Sequence, residues 1–398
     1  MFYPLNYGPY NKIVKPYLFK LYSSPVLMKK EVAAFAALTG TIIGAAFLGI
    51  PYTALEAGLI PTIIEIIFIG LIILIAMLYL GEIILRTPKN HELAGYAELY
   101  LGKKGKYAML FTIFFGIYSA LLAYLVGEGE SLSHLFTASS SYSLLFGLAF
   151  GLGIAACTYT GIKFLKKGEL GGIALVFLLF LIIIIVFAPK ITLANIPPTN
   201  LSKLHIPFGV ILFSFLAFSV LPVIKEILGK KTQHLKKIII SSYLTAIALY
   251  ILFTIIVIGV FGNATPKIAT IALGKIFIIL GCITMFNACL GLSIALTEIF
   301  HLDLNIQKKT AWILTTIPPL IVFAFLSLIH KTDFIQILSI GGSITGTLLI
   351  ALVIAMHKKA KEKGTIKPSF SIPHSNYVSW TIICICILAT ALQIYSFS

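Results

Sequence analysis

Residues 39–58 read TGTIIGAAFLGIPYTALEAG, a stretch apolar enough to enter a bilayer that nonetheless carries Gly40, Gly44, Gly49 and Pro51. Glycine and proline at this density break a helix. Backbone that leaves the helix at membrane depth must find partners in protein, water or a bound solute, because hydrocarbon offers none. A broken first span therefore predicts a ligand site, with the chain turning out of the helix at Gly44, where the missing side chain also admits a ligand.

The rest of the chain fits a membrane setting. Hydrophobic residues make up 59% and charged ones 11%, against about 25% charged in soluble domains. Apolar runs recur along the whole length, which makes this an all-α integral membrane protein. Eleven spans are expected, near residues 31–58, 60–85, 107–136, 142–161, 170–188, 206–229, 237–262, 272–301, 310–329, 334–357 and 377–396.

Loops facing the cytoplasm are enriched in Lys and Arg, and with the N-terminus inside, 25 of the 30 basic residues fall on the inner side. Only Lys190, Lys203, Lys267, Lys275 and Lys331 remain outside. One span more or fewer would scramble this alternation. The net charge of +16 thus follows from topology and the anionic inner leaflet, and no basic cluster is interleaved with a nucleic-acid-binding module. The expected partner surface is the lipid bilayer of the cell membrane, with the C-terminus outside.

Residues 1–30 hold Phe2, Tyr3, Tyr7, Tyr10, Tyr17, Phe19 and Tyr22 among lysines and prolines. They lack the apolar run and cleavage site of a signal peptide and read as a cytoplasmic tail at the headgroup interface. Between spans 2 and 3, Leu93, Tyr96, Ala97 and Tyr100 mark one face of a short amphipathic helix. Cys157, Cys282, Cys289, Cys384 and Cys386 all fall in predicted spans and read as apolar core, with Cys384 and Cys386 on different faces. His134, His205, His301, His330, His357 and His374 lie mostly at span ends and form no credible metal site, and no cofactor is implied.

A second interrupted span lies halfway along. Residues 206–229 carry Ser214, Ala217, Ser219 and Pro222, and Phe218-Ser-Val-Leu-Pro222 with Glu226 after it parallels Phe47-Leu-Gly-Ile-Pro51 with Glu56 after it. Spans 1–5 (residues 31–188) and 6–10 (206–357) form two five-span units, joined by an outer loop over 189–205. Five is odd, so the second unit enters the membrane from the opposite side, as an inverted repeat does. Residues 358–376 form a cytoplasmic loop, and 377–398 the extra eleventh span with a short outer end.

The run G-T-I-I-G-A-A-F-L-G-I-P-Y followed by E-A-G resembles the first span of amino acid permeases of the amino acid–polyamine–organocation superfamily. With F-S-V-L-P-V-I-K-E in span 6, the chain is most similar to the amino acid/auxin permease branch, with the aromatic amino acid permeases as near neighbours. The resemblance implies a LeuT-type fold of 5+5 spans and a secondary active symporter that carries amino acids by alternating access. The substrate is then held between the unwound middles of spans 1 and 6, flanked by spans 3, 8 and 10.

On that resemblance the amides of Gly44 and Ala45 face the substrate carboxylate, which suits the positive end of a helix, and the Thr41 carbonyl faces its ammonium group. Ile43 and Ala46 complete the stretch. In span 6 the expected site residues are Phe213, Ser214, Phe215, Leu216, Ala217 and Phe218. The carbonyls of Thr39 and Ile42 fall near a cation site.

The departures bear on the coupling ion. Relatives in the amino acid/auxin branch carry a histidine where this chain has Ala217. Sodium-coupled members of the fold use span 8 hydroxyls, for which Ser293 and Thr297 are the candidates here. The lysine that some proton-coupled relatives hold in span 5 is missing from residues 170–188. Carboxyl groups offer another proton route, since Glu65, Glu128 and Glu130 lie in or near the apolar zone, where a charge is costly unless it faces water or a partner. The coupling ion is therefore a proton or sodium. An enzyme finds no support, with no G-x-S-x-G, no H-E-x-x-H and no paired aspartates; a channel or facilitator, lacking a continuous polar pore here, is separated from a carrier by whether flux saturates and follows an ion gradient.

Overall fold

The computed structural model describes residues 29–160 and 169–397. The tail up to residue 28, Lys163, Lys166, Lys167 and Ser398 lie outside the described residues. Among the described residues there is no strand, and nine helices are long and apolar enough to cross a membrane, or ten if the bent first pair counts as one span. The helix Glu169–Phe187 stands where the fifth span is expected, but its described apolar part, Phe177–Lys190, is shorter than a crossing needs.

The first span is two helices, α1 (Lys30–Ile42) and α2 (Ile50–Ala57), joined by irregular backbone and a 3₁₀ turn over Ala46–Gly49, with a bend of 41°. Helix α3 is Leu59–Arg86, and α4 is Leu93–Thr137 with a kink at Gly102, whose φ of 77° suits glycine. The amphipathic helix expected between spans 2 and 3 is thus the first turns of α4, with Leu93, Tyr96, Ala97 and Tyr100 buried as the pattern requires. Next come α5 (Ser143–Thr160) and α6 (Glu169–Phe187).

The sixth span is again two helices, α7 (Ile206–Ser214) and α8 (Leu221–Leu228), separated by Phe215–Ala217 and a 3₁₀ turn over Phe218–Val220. The two parallel sequence patterns therefore adopt the same local structure. In each, the Phe lies in the 3₁₀ turn and the Pro in the first turn of the helix that follows, where its missing N–H costs nothing. The carboxylates after them also act alike: Glu56 pairs with Lys203 and Glu226 accepts from Asn90 Nδ2 at 3.1 Å, each tying the far end of its half-helix to a loop.

The remaining helices are α9 (Leu235–Phe261), the short α10 (Thr270–Leu273), α11 (Lys275–Glu298), α12 (Lys308–Leu328), α13 (Phe334–Lys363) and α14 (Asn376–Phe397). Helix α13 packs on α4 and α7, α9 on α1 and α3, and α11 on α4. The contact of α13 with α7 is close because it is made by glycine: a Cβ on Gly342 would strike the Gly209 carbonyl, and one on Gly209 the Ser339 carbonyl. The small-residue stretch of the tenth span is therefore a packing surface.

Helix α14 lies outside this pair and caps it. The Gln393 amide, fully buried, accepts from the Gly209 N–H at 2.8 Å and donates to the Ile206 carbonyl at 3.0 Å, supplying an acceptor at the end of the helix where N–H groups run short of partners. Outward faces are apolar, as along α3 with Ile60, Ile64, Ile67, Phe68 and Leu71 exposed, and suit lipid tails. Cys384 is exposed and Cys386 buried, on different faces of α14.

Candidate functional site

Helices α1 and α7 both end in the middle of the protein, and the C-terminal end of a helix carries partial negative charge on carbonyls with no helical partner. One side chain meets both ends. The hydroxyl of Tyr250, on α9, lies 2.7 Å from the Ile42 carbonyl oxygen and 2.9 Å from that of Ser214. About two turns earlier on the same helix, Tyr243 donates to the Phe215 carbonyl at 3.0 Å. Both tyrosines are fully buried.

Rings from both breaks hold Tyr250 in place. Phe47 stacks on it with centroids 5.4 Å apart and Phe215 lies against it at 5.0 Å. Phe47 also meets Phe180 of α6 at 5.6 Å and Phe253 of α9 at 5.0 Å. Beside this cluster is a cavity of about 50 Å³ bordered by Ile43, Gly44, Phe47, Phe180, Phe253 and Thr284, among others.

The expected substrate residues come together around these breaks. Ala45 packs in a cluster with Ala120 and Tyr124 of α4 and Met285 and Cys289 of α11, and Phe213 lies against the same cluster. Phe213 also touches Gly342 of α13. Ala46, Phe215, Ala217 and Phe218 are buried on the other side, in the main core, with Leu216 packed against it. Ser214 Oγ bonds back to the Val210 carbonyl at 2.8 Å, and Thr41 Oγ1 to that of Ala37 at 2.8 Å, so both present only their carbonyls to the break.

Gly44 differs from expectation. It is absent from the glycines of positive φ, and a Cβ there would meet only the Thr41 carbonyl oxygen, at 3.9 Å. Its N–H donates to the Ile42 carbonyl at 2.8 Å. The chain leaves the helix here without a left-handed residue, so the glycine makes room beside the cavity rather than permitting the turn.

The ion-coupling candidates fall in three separate places. The Thr39 carbonyl accepts from the Ile43 N–H at 2.9 Å, and that of Ile42 from Gly44 and Tyr250. Ser293 borders a second cavity, of about 20 Å³, with Thr315, Thr316 and Leu320 of α12, and Thr297 Oγ1 bonds to Ser293 O at 2.8 Å and Thr315 Oγ1 at 3.0 Å. The Thr297 hydroxyl thus bonds to α12 and Ser293 borders a cavity shared with it, and the bonds of Thr297 do not involve Thr39 or Ile42.

Glu128, on α4, is buried facing the thiol of Cys282 on α11, and its Oε1 has no hydrogen-bond partner among the described groups. Glu130, half-buried, lies within electrostatic reach of Lys267 and Asp333, which pair at 2.6 Å. Partial burial pushes the Lys267 ammonium down, but the bond to Asp333 and its charge outweigh this and hold it above its ordinary value.

Two features have no signature in the sequence. The tyrosines of α9 sit in an apolar run with no motif, and only the fold carries them to the breaks. Glu82, at an inner span end, reads from the sequence as a partner of basic loops. Instead it is wholly buried and accepts from Arg86 Nε at 2.8 Å, His357 Nε2 at 3.0 Å, Ser371 Oγ at 2.8 Å and the Ile372 N–H at 2.6 Å. His357 in turn meets His374 Nδ1 to Nδ1 at 3.2 Å, so the histidines do have acidic and histidine partners across the fold. Glu31, by contrast, pairs with Lys231 of a basic loop, at 2.7 Å. Among the described residues no group of three His, Cys, Asp or Glu is set to hold a metal ion.

Comparison with known proteins places this arrangement in a family setting. The model of the tryptophan/tyrosine permease family matches residues 28–280, which include both breaks and α9. The chain is 24% identical to tyrosine-specific transport system 1 of Haemophilus influenzae, over 92% of this chain and 96% of that protein. It is 22% identical to glutamine transporter 2 of Aliivibrio fischeri, over 87% of this chain and 91% of that one. An amino acid transporter of Arabidopsis thaliana shares 25% identity over 60% of the chain and 57% of its own length. Of the two branches that the sequence resembles, the family match is to the aromatic neighbour.

Proposed function

Starting from a chain that belongs to the tryptophan/tyrosine permease family, a multi-pass membrane permease and not an enzyme, we propose that it is a proton-coupled symporter that accumulates amino acids by alternating access, aromatic ones foremost. The reading takes the LeuT-type plan of ten spans in two inverted halves plus an eleventh, with the N-terminus in the cytoplasm. Its support is the meeting of α1 and α7 at Tyr250. Two negative helix ends in one dry place suit an ammonium group, and the 3₁₀ turns opposite them, leading into α2 and α8, offer amides to a carboxylate.

The aromatic preference draws on the family and on the relative named for tyrosine, and on the walls of Phe47, Phe180, Phe215 and Phe253. Glu128 supports the proton, being a buried carboxyl group with a bare oxygen at the seam of α4 and α11, the kind of intramembrane group that marks proton routes in transporters. A sodium site at Ser293 and Thr297 has less support, since the Thr297 hydroxyl is engaged with the Ser293 carbonyl and with Thr315 of α12.

Purified protein in sealed vesicles, offered labelled tyrosine, tryptophan and glutamine under imposed proton or sodium gradients, tests the reading. Accumulation of tyrosine or tryptophan driven by an inward proton gradient is the expected result. No accumulation of any of the three would refute carriage of these amino acids; accumulation driven by sodium at equal pH, undiminished by Glu128→Gln and Glu130→Gln, would refute the proton. Single cysteines at positions 231 and 359 should label from the cytoplasmic side and at 203 from the other.

A further inference from the structure

The Tyr250 hydroxyl carries one proton and faces two carbonyl oxygens at hydrogen-bond distance, those of Ile42 and Ser214. At any moment one of the two oxygen pairs has no proton between them, except as the Gly44 N–H, 2.8 Å from Ile42 O, relieves it. Two helix ends of like partial charge thus converge on one side-chain donor, the Tyr250 hydroxyl. An ammonium group brings three donors and a full positive charge to the same oxygens, so the site is better satisfied loaded than empty. Tyr250 is the side chain that holds it together in between.

We propose that Tyr250 is a positioning residue that stands in for the substrate's amino group, tying the two broken spans together in the unloaded carrier so that the empty protein can reorient. This rests on the reading that the amino group docks between the breaks. A carrier that accumulates its substrate must return empty in each cycle, whereas exchange of internal for external substrate uses only the loaded transitions. The phenol ring is well placed for such a part, since it is gripped by Phe47 from the first break and Phe215 from the second. Movement of either half-helix is felt at its hydroxyl.

The inference separates two rates that a merely structural tyrosine would lower together. Tyr250→Phe keeps the ring and its stacking and removes only the shared donor, and it also removes a competitor for the two carbonyls. In vesicles loaded with labelled tyrosine, tryptophan or glutamine, whichever the unaltered protein carries, net efflux into substrate-free buffer should fall about tenfold, the scale set by losing one well-placed hydrogen bond. Exchange against the same unlabelled amino acid outside should stay within about twofold, with an unchanged or lower half-saturating concentration.

Tyr243→Phe, which removes a bond to one break only, should lower net efflux and exchange by the same factor. If Tyr250→Phe does not insert, Tyr250→Met provides the second variant: it too removes the shared donor while filling the space with a flexible side chain, and should depress net efflux more than exchange. A fall of both rates in equal proportion in whichever variant inserts would overturn the inference. Absence of exchange in the unaltered protein would instead overturn the reading of the site on which it rests.

Discussion

Glu82 and Glu128 are both carboxyl groups buried inside a membrane protein, and they are buried in opposite ways. Glu82 has every oxygen engaged, by Arg86, His357, Ser371 and the Ile372 N–H, and it knits α3, α13 and the 364–375 segment into one piece. Glu128 faces a thiol, and its Oε1 has no hydrogen-bond partner among the described residues. Burying a charge is tolerable only when it is paired and hydrogen-bonded. Bonding, and not burial alone, therefore separates the acid that serves the fold from the one proposed above to exchange a proton.

The largest effect should come from removing Glu82. Glu82→Ala strands Arg86 and the Ile372 N–H and leaves His357 without its acceptor, so the loss should be on the order of 3–5 kcal/mol, as when one partner of a buried pair is deleted. A fall in the melting temperature of the detergent-solubilised protein, or its absence from the membrane fraction, is the expected outcome. A variant as stable as the parent would show that the network contributes nothing.

Glu128→Gln should do the reverse. The amide keeps the shape, loses the exchangeable proton, and should abolish proton-driven accumulation while the melting temperature stays within a few degrees and exchange persists. If accumulation survives, Glu128 is no more than an ill-satisfied core residue and the contrast with Glu82 loses its functional meaning.

A smaller effect is expected at Gly44. With only the Thr41 carbonyl oxygen within 4 Å of an added methyl group, at 3.9 Å, and no positive φ to strain, Gly44→Ala should transport at close to the parent rate. Gly44→Leu fills the cavity of about 50 Å³ that the glycine borders and should stop uptake while the protein still inserts. Loss of uptake in the alanine variant would restore the view that the backbone itself demands glycine here.

Gly44 also shows where the sequence was legible and where it was not. Helix breaks follow from local chemistry, so FLGIP and FSVLP announced both interruptions and their likeness. The apolar face of residues 93–100 was equally local. What sequence could not reach was pairing between distant segments: Tyr250 meets Ile42 across 208 positions and His357 meets Glu82 across 275, and nothing near a tyrosine in an apolar run foretells which carbonyl it will serve. That Thr297 bonds to Thr315 and Ser293 borders a cavity with α12 was illegible for the same reason, since the rotation of α11 about its axis is set by packing. Glycines 209 and 342 fall between these cases, visible as small residues but not as each other's neighbours.

The Glu82 network can be probed by pH from its exposed end. Partial burial, with Lys358 and Lys361 adding to it, holds the His374 imidazole below its ordinary value. A base whose folded value is lowered stabilises the folded state above the unfolded value, about 6.5, and loses that contribution as pH falls through the folded one. Acidifying the solution around the 364–375 segment should therefore loosen it, seen as faster hydrogen exchange at the Ile372 amide, and His374→Asn should flatten the response. No change in exchange between about pH 7.5 and 5.5, a window chosen to bracket about 6.5, would mean that Glu82 alone holds the segment.

The smallest effect is expected toward the C-terminal end of α4, where the Lys267–Asp333 pair lies beside Glu130. Each side chain keeps roughly a third of its surface exposed, and exposed pairs contribute only about 0–1 kcal/mol. Lys267→Met should thus shift the melting temperature little. The variant matters for what it does to Glu130, which loses its nearby cation while Glu128, earlier on the same helix and more fully buried, does not. If transport with the variant keeps its proton dependence, Glu128 alone carries the exchange and the contrast with Glu82 narrows to one residue. If the pH dependence of uptake moves, the two acids act together, and the bare oxygen of Glu128 is one end of a path that begins at Lys267.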